Sequence, residues 1–325
     1  MAQDALPPYL NEASNSPRKS ESAGKKPYVF CAKKPDDLPD VHADLMEKAL
    51  NRDEGLLYLL YTPICQERNG PFGLQATPAS HSVAVTRHRF VISKDRRIKA
   101  IAPSLQSIPF NQVVSVELGN ALFFGWLSIR FAVDEKASCT TLFFPSATGM
   151  RHFGLAVSEY RRMTRPTHGL MPSKIIEWAD VWRHTPKTEV DHLKLLIIKE
   201  EIPFNWLRSS ERWVLRKSRG KSVPSYVSQN GILISTNIGF IHATEEPCTR
   251  PEIFSFGVNA SCIAFDGLKS AQVLEKSLNG TRFCFLQLKI ARGDVTIDFD
   301  IPFDGSSLTD AENLARFFAQ EVVSK

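Results

Sequence analysis

The sequence predicts a mostly β, α+β protein made of two similar units, each a curved antiparallel sheet capped by a C-terminal helix. Three observations carry this. Short apolar-alternating runs separated by polar turns fill much of 56–144 and 211–301. One amphipathic helical pattern follows each set of runs. And SVAVTRHRFVIS (82–93) returns as ILISTNIGFIHA (232–243), so that aligning Thr86 with Thr236 superposes Phe90 on Phe240 and Val91 on Ile241.

The elements follow in order. Residues 1–40 are rich in Pro, Ser, Lys, Asp and Glu, cannot bury enough surface to offset ordering, and are expected to form a mostly disordered tail. A first helix is expected over Val41–Ala49. LLYLLYT (56–62) reads as a buried strand, 63–80 as a long polar loop, and HSVAVT (81–86) and HRFVIS (88–93) as a strand pair. SIPF (107–110), QVVSVEL (112–118), WLSIRF (126–131) and TTLFF (140–144) complete the set. In QVVSVEL the alternation puts Val114, Val116 and Leu118 on one face; in WLSIRF it puts Leu127, Ile129 and Phe131 inward. Ser146 reads as an N-cap, with Met150, Phe153, Val157 and Tyr160 at helical spacing behind it.

TRPTHGLMP (164–172) marks a linker. A short helix is expected over Ser173–Trp182, with Ile175, Trp178 and Trp182 on one face, and a second around Leu193–Ile198. In the second half, ERWVLRK (211–217) reads as a strand with RGKSVPSYVSQNG as its turn. GILIST, IGFIHA, EIFSFGV (252–258), TRFCFLQLKI (281–290) and DVTIDFDI (294–301) read as further strands, and GLKS (267–270) as a turn. Thr309 and Glu312 read as a capping box ahead of a closing helix. The expected organisation is a tail (1–40), a first unit (41–163), a helical linker (164–205) and a second unit (206–325).

Composition narrows function. At 325 residues the chain is long for one ordinary core, and its apolar fraction of 43% is enough to bury two. A net charge of +5 lacks the strongly basic footprint of an obligate nucleic-acid binder, so no nucleic-acid partner is expected. The six cysteines form no CxxC pair and sit near no histidine at zinc-ligand spacing. No metal and no cofactor are expected. The longest apolar stretches, such as ALFFGWL (121–127), fall far short of a membrane span, and no secretory h-region is visible. A cytoplasmic protein without a transmembrane segment is expected, with peripheral membrane contact left open.

VAVTRHRFVIS, with Thr86 and Arg89, resembles the second-to-third-strand signature of bacterial pleckstrin-homology-like (PH-like) and GRAM-type domains: apolar strand, Thr, two variable residues, Arg, apolar strand. IPFNQVVSVEL resembles the family's next two strands and ALFFGWLSIRF its sixth. The likeness covers roughly 55–163. The second copy keeps Thr236 but has Gly239 where the Arg belongs. The resemblance implies two tandem binding modules for lipids, peptides or proteins.

Two candidate surfaces follow. In RKSRGKS, the cations Arg216, Lys217, Arg219 and Lys221 crowd one turn. A basic loop there clamps anionic inositol-phosphate headgroups in lipid-binding PH domains; a solvated turn is the plainer reading. In ALFFGW, Phe123, Phe124 and Trp126 surround Gly125. They are expected either to dock a protein partner or to point into two cores from a bulged strand. The reading that follows is a non-catalytic interaction protein whose partner is a protein or an anionic membrane surface. The alternative is an enzyme with a site between the units, using His184, His192, Trp178 or Glu200. GxSxG, a phosphate-binding glycine loop and HExxH are all missing from the sequence.

Overall fold

The computed structural model describes residues 28–51, 53–69, 74–96, 102–121, 123–166, 175–218, 221–245, 257–278 and 281–323. The first half runs β1 (Phe30–Cys31), α1 (Asp40–Ala49), β2 (Tyr58–Asn69), β3 (Leu74–Val85), β4 (Arg89–Asp95), β5 (Ser104–Pro109), β6 (Val113–Ala121), β7 (Phe124–Val133), β8 (Lys136–Pro145) and α2 (Ser146–Met163). Helices α3 (Trp178–His184) and α4 (Lys187–Lys194) follow. The second half runs β9 (Pro203–Ser209), β10 (Arg212–Ser218), β11 (Lys221–Ser228), β12 (Gly231–Thr236), β13 (Gly239–Glu245), β14 (Gly257–Ala264), β15 (Leu268–Leu278), β16 (Thr281–Arg292), β17 (Val295–Phe303) and α5 (Leu308–Val323).

The protein is α+β and mostly strand. Among the described residues the strands form four antiparallel sheets, none closed into a barrel. β1–β5 make a five-stranded meander and β15–β17 a three-stranded one. β10 and β11 form a separate hairpin. The seven-stranded sheet has the order β8-β7-β6-β14-β13-β12-β9, so it crosses from one half of the chain to the other. The seam is an antiparallel ladder of β6 on β14, running from Gly257 opposite Ala121 to Ile263 opposite Ser115.

The middle of this wall, β6, β12, β13 and β14, is buried on both faces, which is why those strands read as nearly continuous apolar runs, whereas β7 and β8 alternate. Along β12, Ile232 and Ile234 join one core while Leu233 joins the other; along β14, Cys262 and Ile263 divide the same way. The first core includes Phe153, Val157 and Tyr160 of α2 and Leu60, Val83 and Phe90 of the five-stranded sheet. The second includes Ala311, Leu314 and Phe318 of α5 and Leu286, Leu288 and Ile301 of the three-stranded sheet. A smaller core lies under α1, where Met46 meets Leu59, Tyr61 and Val91.

Several expectations are corrected. The supposed loop 63–80 is mostly the far end of the β2–β3 hairpin, whose register shifts at Thr62/Cys65 and Cys65/Glu67. The supposed turn after ERWVLRK contains β11, and GLKS opens β15. Val114 joins the second core and not the first with Val116 and Leu118, because the ladder slips between Val113 and Ser115. Helix α3 starts at Trp178; Ile175 precedes it and is 62% exposed. Helix α4 ends at Lys194, ahead of most of Leu193–Ile198. Pro145, not Ser146, occupies the α2 cap position, and Thr309 lies inside α5, which a short 3₁₀ turn precedes. The strand placed at 252–258 is observed as β14, beginning at Gly257; residues 251–256 lie outside the described set, as does 1–27 of the expected tail.

Candidate functional site

The Thr86 and Thr236 turns share one hydrogen-bond pattern. The Thr86 hydroxyl accepts from the backbone N–H of His88 (3.2 Å) and Arg89 (3.1 Å). Its oxygen lies 3.2 Å from Glu54 Oε1 and 3.1 Å from the Arg89 carbonyl, and it donates to one of them. The Thr236 hydroxyl accepts from Ile238 (3.2 Å) and Gly239 (3.3 Å), and lies 2.7 Å from Glu201 Oε1 and 3.0 Å from the Gly239 carbonyl. Both turns thus join a threonine to a glutamate that precedes the sheet.

The cations differ. In the first turn Arg89 closes on Glu54 through Nε and Nη2, and its other donors reach the Ser107 hydroxyl (2.9 Å) and the Ala49 carbonyl (2.9 Å). The Arg89 hydrogen bonds hold the Glu54 carboxyl below the usual carboxylate range. In the second turn a Cβ on Gly239 would lie 2.5 Å from the Ile263 carbonyl oxygen, so a side chain does not fit there. Arg161 from α2 supplies the guanidinium. It pairs with both Glu201 oxygens and donates to the Leu196 carbonyl at 2.6 Å. Both partners are buried, and Glu201 also accepts from the Ile198 N–H at 3.2 Å. These residues build the junction; their donors and acceptors face one another and not an approaching ligand.

A hollow of about 410 Å³ opens where α2 and α4 meet the end of the β6–β14 seam. It is lined by Asn120, Met150, Asp191, His192, Glu245 and Val258, among others. His192 is fixed: its Nε2–H donates to the Leu118 carbonyl at 2.8 Å, and burial pulls its pKa below the ordinary value. Glu245 accepts from Asn230 Nδ2 at 3.1 Å. Asp191 is exposed, and Lys194 lies 3.7 Å away on the surface, a weak pairing. One turn before His192, Glu189 is fully buried, and neither carboxyl oxygen has a hydrogen-bond partner. Burial, with the Glu245 charge adding to it, pushes its pKa up to about 9; Arg208 of β9 offsets part of the rise. Among the described lining residues the acids are thus Asp191 and Glu245, beside a His192 whose pKa burial lowers; Glu189 is not one of the lining residues. Nothing in the sequence pattern flagged Glu189, because an acid inside KTEVDHLK reads as solvated helix surface.

The four residues of the enzyme alternative do not converge. Of them, only His192 lines the hollow. His184 stacks on Trp206 at 4.3 Å, Trp178 stacks on Trp182 and donates to the Glu201 carbonyl at 3.0 Å, and the exposed Glu200 offers its carbonyl oxygen to Asn237 at 3.4 Å. Among the described residues, no group of three or more His, Cys, Asp or Glu is placed to hold a metal.

The aromatic trio divides. Ala121 at the end of β6 pairs with Phe124 at the start of β7. Phe123 is 79% exposed and Phe124 48%. Trp126 instead lies half-buried over the backbone of Gly119 and donates to Glu117 at 3.0 Å. Gly125 lies beneath the ring of Phe144, which stacks on Phe153 at 4.0 Å; a Cβ there would come within 2.2 Å of that ring. The two phenylalanines thus stand free at the tip, with no bulge to turn them inward. In the basic stretch, Arg216 and Lys217 lie just before Ser218, the last residue of β10, and Lys221, opposite Ser218, starts β11. Arg219 lies outside the described residues, as do the side chains of the other three.

Comparison of the sequence with protein-family models and with curated proteins finds no match. Among the described residues, no helix is long and apolar enough to cross a membrane.

Proposed function

We propose that the chain is a non-catalytic binding protein, two PH-like units spanning 41–163 and 206–325 joined by a helical linker, that recognises a protein partner. The observation that supports this most is the Phe123–Phe124 tip. Two large apolar rings are held in solvent by a turn whose flanking residues are locked into the sheet. The groups that could do acid–base chemistry are spent on structure: Arg89 on Glu54, Arg161 on Glu201, His192 on a backbone carbonyl. Aromatic side chains that are exposed and rigidly presented are the usual anchors of protein interfaces. A pull-down from native lysate with the parent and with Phe123→Ser/Phe124→Ser tests the reading. Loss of a specific partner in the variant is expected, and equal capture by both overturns it.

A second reading rests on the β10–β11 hairpin, where Arg216 pairs with Val223, Lys217 with Ser222 and Lys221 with Ser218, with Arg219 between them in sequence. Such a tip suits an anionic membrane surface. Liposome co-sedimentation with and without anionic lipid, comparing the parent with Lys217→Ala/Arg219→Ala, tests it. Reduced binding by the variant is expected, and equal sedimentation removes it.

A further inference from the structure

We propose that strand β5 is the surface through which the chain pairs with a second copy of itself, edge to edge and antiparallel, about a two-fold axis at Gln106. This self-association does not depend on the Phe123–Phe124 tip and goes beyond the binding reading above.

β5 is the counterpart of β14. Ile108 lies opposite Phe90 as Ile263 lies opposite Phe240. Phe110 and Phe265 follow two residues on, and each meets that opposite ring edge-on, Phe90 at 5.1 Å and Phe240 at 4.7 Å. The next strands slip at matching points, β6 between Val113 and Ser115 and β15 between Leu268 and Ser270. The far side of β14 is covered residue by residue by antiparallel β6. The far side of β5 ends its sheet, and among the described residues no strand covers it. An edge of this construction therefore accepts an antiparallel strand once within the molecule and is left open once.

The backbone fixes which groups are open. The Thr86 N–H donates to the Arg89 carbonyl at 3.0 Å, so the main-chain groups of Arg89 point toward β3. Direction alternates along a strand, so Phe90, Ile92 and Lys94 turn theirs toward Ile108, Gln106 and Ser104 of β5. The N–H and C=O of Leu105 and Ser107 thus point out of the sheet, and both residues are exposed. A two-fold at Gln106 sets Leu105 of each copy opposite Ser107 of the other and closes four N–H···O=C bonds.

Charge selects the occupant. The strands that end the other sheets carry it: Lys136 on β8, Arg208 on β9, Glu275 on β15, Asp298 on β17, and Lys217 and Lys221 on the β10–β11 hairpin. β1 is only two residues long. Charged side chains keep an edge from pairing, and a copy of such a strand would set like charges against each other. β5, SLQSIP, has no ionisable side chain, so its own copy meets no repulsion, and the two Gln106 amides face one another as donor and acceptor. A contact that uses the same strand on both chains closes at two.

Sedimentation velocity of the full chain from about 1 to about 200 μM at low salt is the test, a range suited to a small interface. The parent is expected to pass from one chain to two and no further. Leu105→Glu/Ser107→Glu and Leu105→Lys/Ser107→Lys set like charges opposite one another at exposed positions, and each should weaken pairing at least about tenfold. An equimolar mixture of the two should pair again, because Glu then faces Lys. If either fails to fold, Leu105→Pro takes its place: it removes one outward N–H and no bond to β4, and should also leave a single chain. A parent that stays single throughout, a dimer that survives the edge variants, a mixture of folded variants that does not pair, or growth beyond two chains each overturns the proposal. Phe123→Ser/Phe124→Ser should keep the dimer; a dimer lost there and kept in the edge variants overturns it in favour of the aromatic tip.

Discussion

Arg161 on α2 and Glu201 ahead of β9 form an ion pair buried on both sides, and it does for Thr236 what Arg89 and Glu54 do for Thr86. The first turn carries its own cation; the second takes one from the helix that closes the first half. Removing one member of such a pair strands a charge in the interior. Arg161→Ala is therefore expected to cost about 3–5 kcal/mol, read from urea unfolding of the full chain. Arg161→Met/Glu201→Gln, which leaves no buried charge behind, should cost much less. Equal losses for the two would mean that the pair matters by its packing and not by its charge.

The space at Gly239 gives a sharper contrast. Its missing Cβ would press to 2.5 Å on the backbone carbonyl of Ile263, in a central strand that cannot give way. Gly239→Ala should destabilise by about 1–3 kcal/mol. Gly305, where a Cβ meets nothing within 4 Å, is the control, and Gly305→Ala should stay within about 0.5 kcal/mol of the parent. Matched melting curves of the two variants decide it.

Glu189 should behave as a functional liability. Its folded pKa of about 9 lies above the unfolded value near 4.3. The folded form therefore binds the proton more tightly, and this stabilisation is complete below about pH 4 and lost as pH rises toward 9. Glu189→Gln keeps the shape and cannot ionise. It should raise stability at neutral pH by up to about 3 kcal/mol and flatten the decline between pH 5 and 9. Chemical unfolding across that range checks the slope; a loss of stability at pH 7 would refute the account.

His242 has the opposite sign. Burial lowers its pKa to about 4, and its Nε2 has no hydrogen-bond partner. The unfolded chain takes up the proton near pH 6.5 and the folded one does not, so stability present above pH 6.5 is lost as pH falls toward 4. His242→Gln should reduce the steepness of that loss by up to about 3 kcal/mol over the window. His81, whose pKa burial lowers to about 3, keeps part of the acid sensitivity in the variant.

The duplicated turn was legible because it is local: Thr86 and Thr236 bond to residues two and three positions on, so the pattern survives in the linear text. The β6–β14 seam was not, since strands so far apart in the chain meet through tertiary packing alone. β15 was hidden by its composition, since in AQVLEKSL the charged Glu275 and Lys276 stand side by side on opposite faces and break the apolar alternation. Of the candidate surfaces, the crowding of rings at 123–126 left open whether they stand exposed or turn inward, and the exposure of Phe123 and Phe124 is read from the structure alone. Arg161 gave no signal, because an arginine near a helix C-terminus reads as a partner for the macrodipole. Its role required knowing where Glu201 lies.

The seam also governs what happens if the polypeptide is severed. A cut within 167–174 would leave fragments that each carry a bare row of amides and carbonyls, on β6 in one and β14 in the other. Neither piece would stay soluble by itself, and two co-expressed pieces would zip together along that row. The halves are thus suited to split-reporter complementation and unsuited to study in isolation.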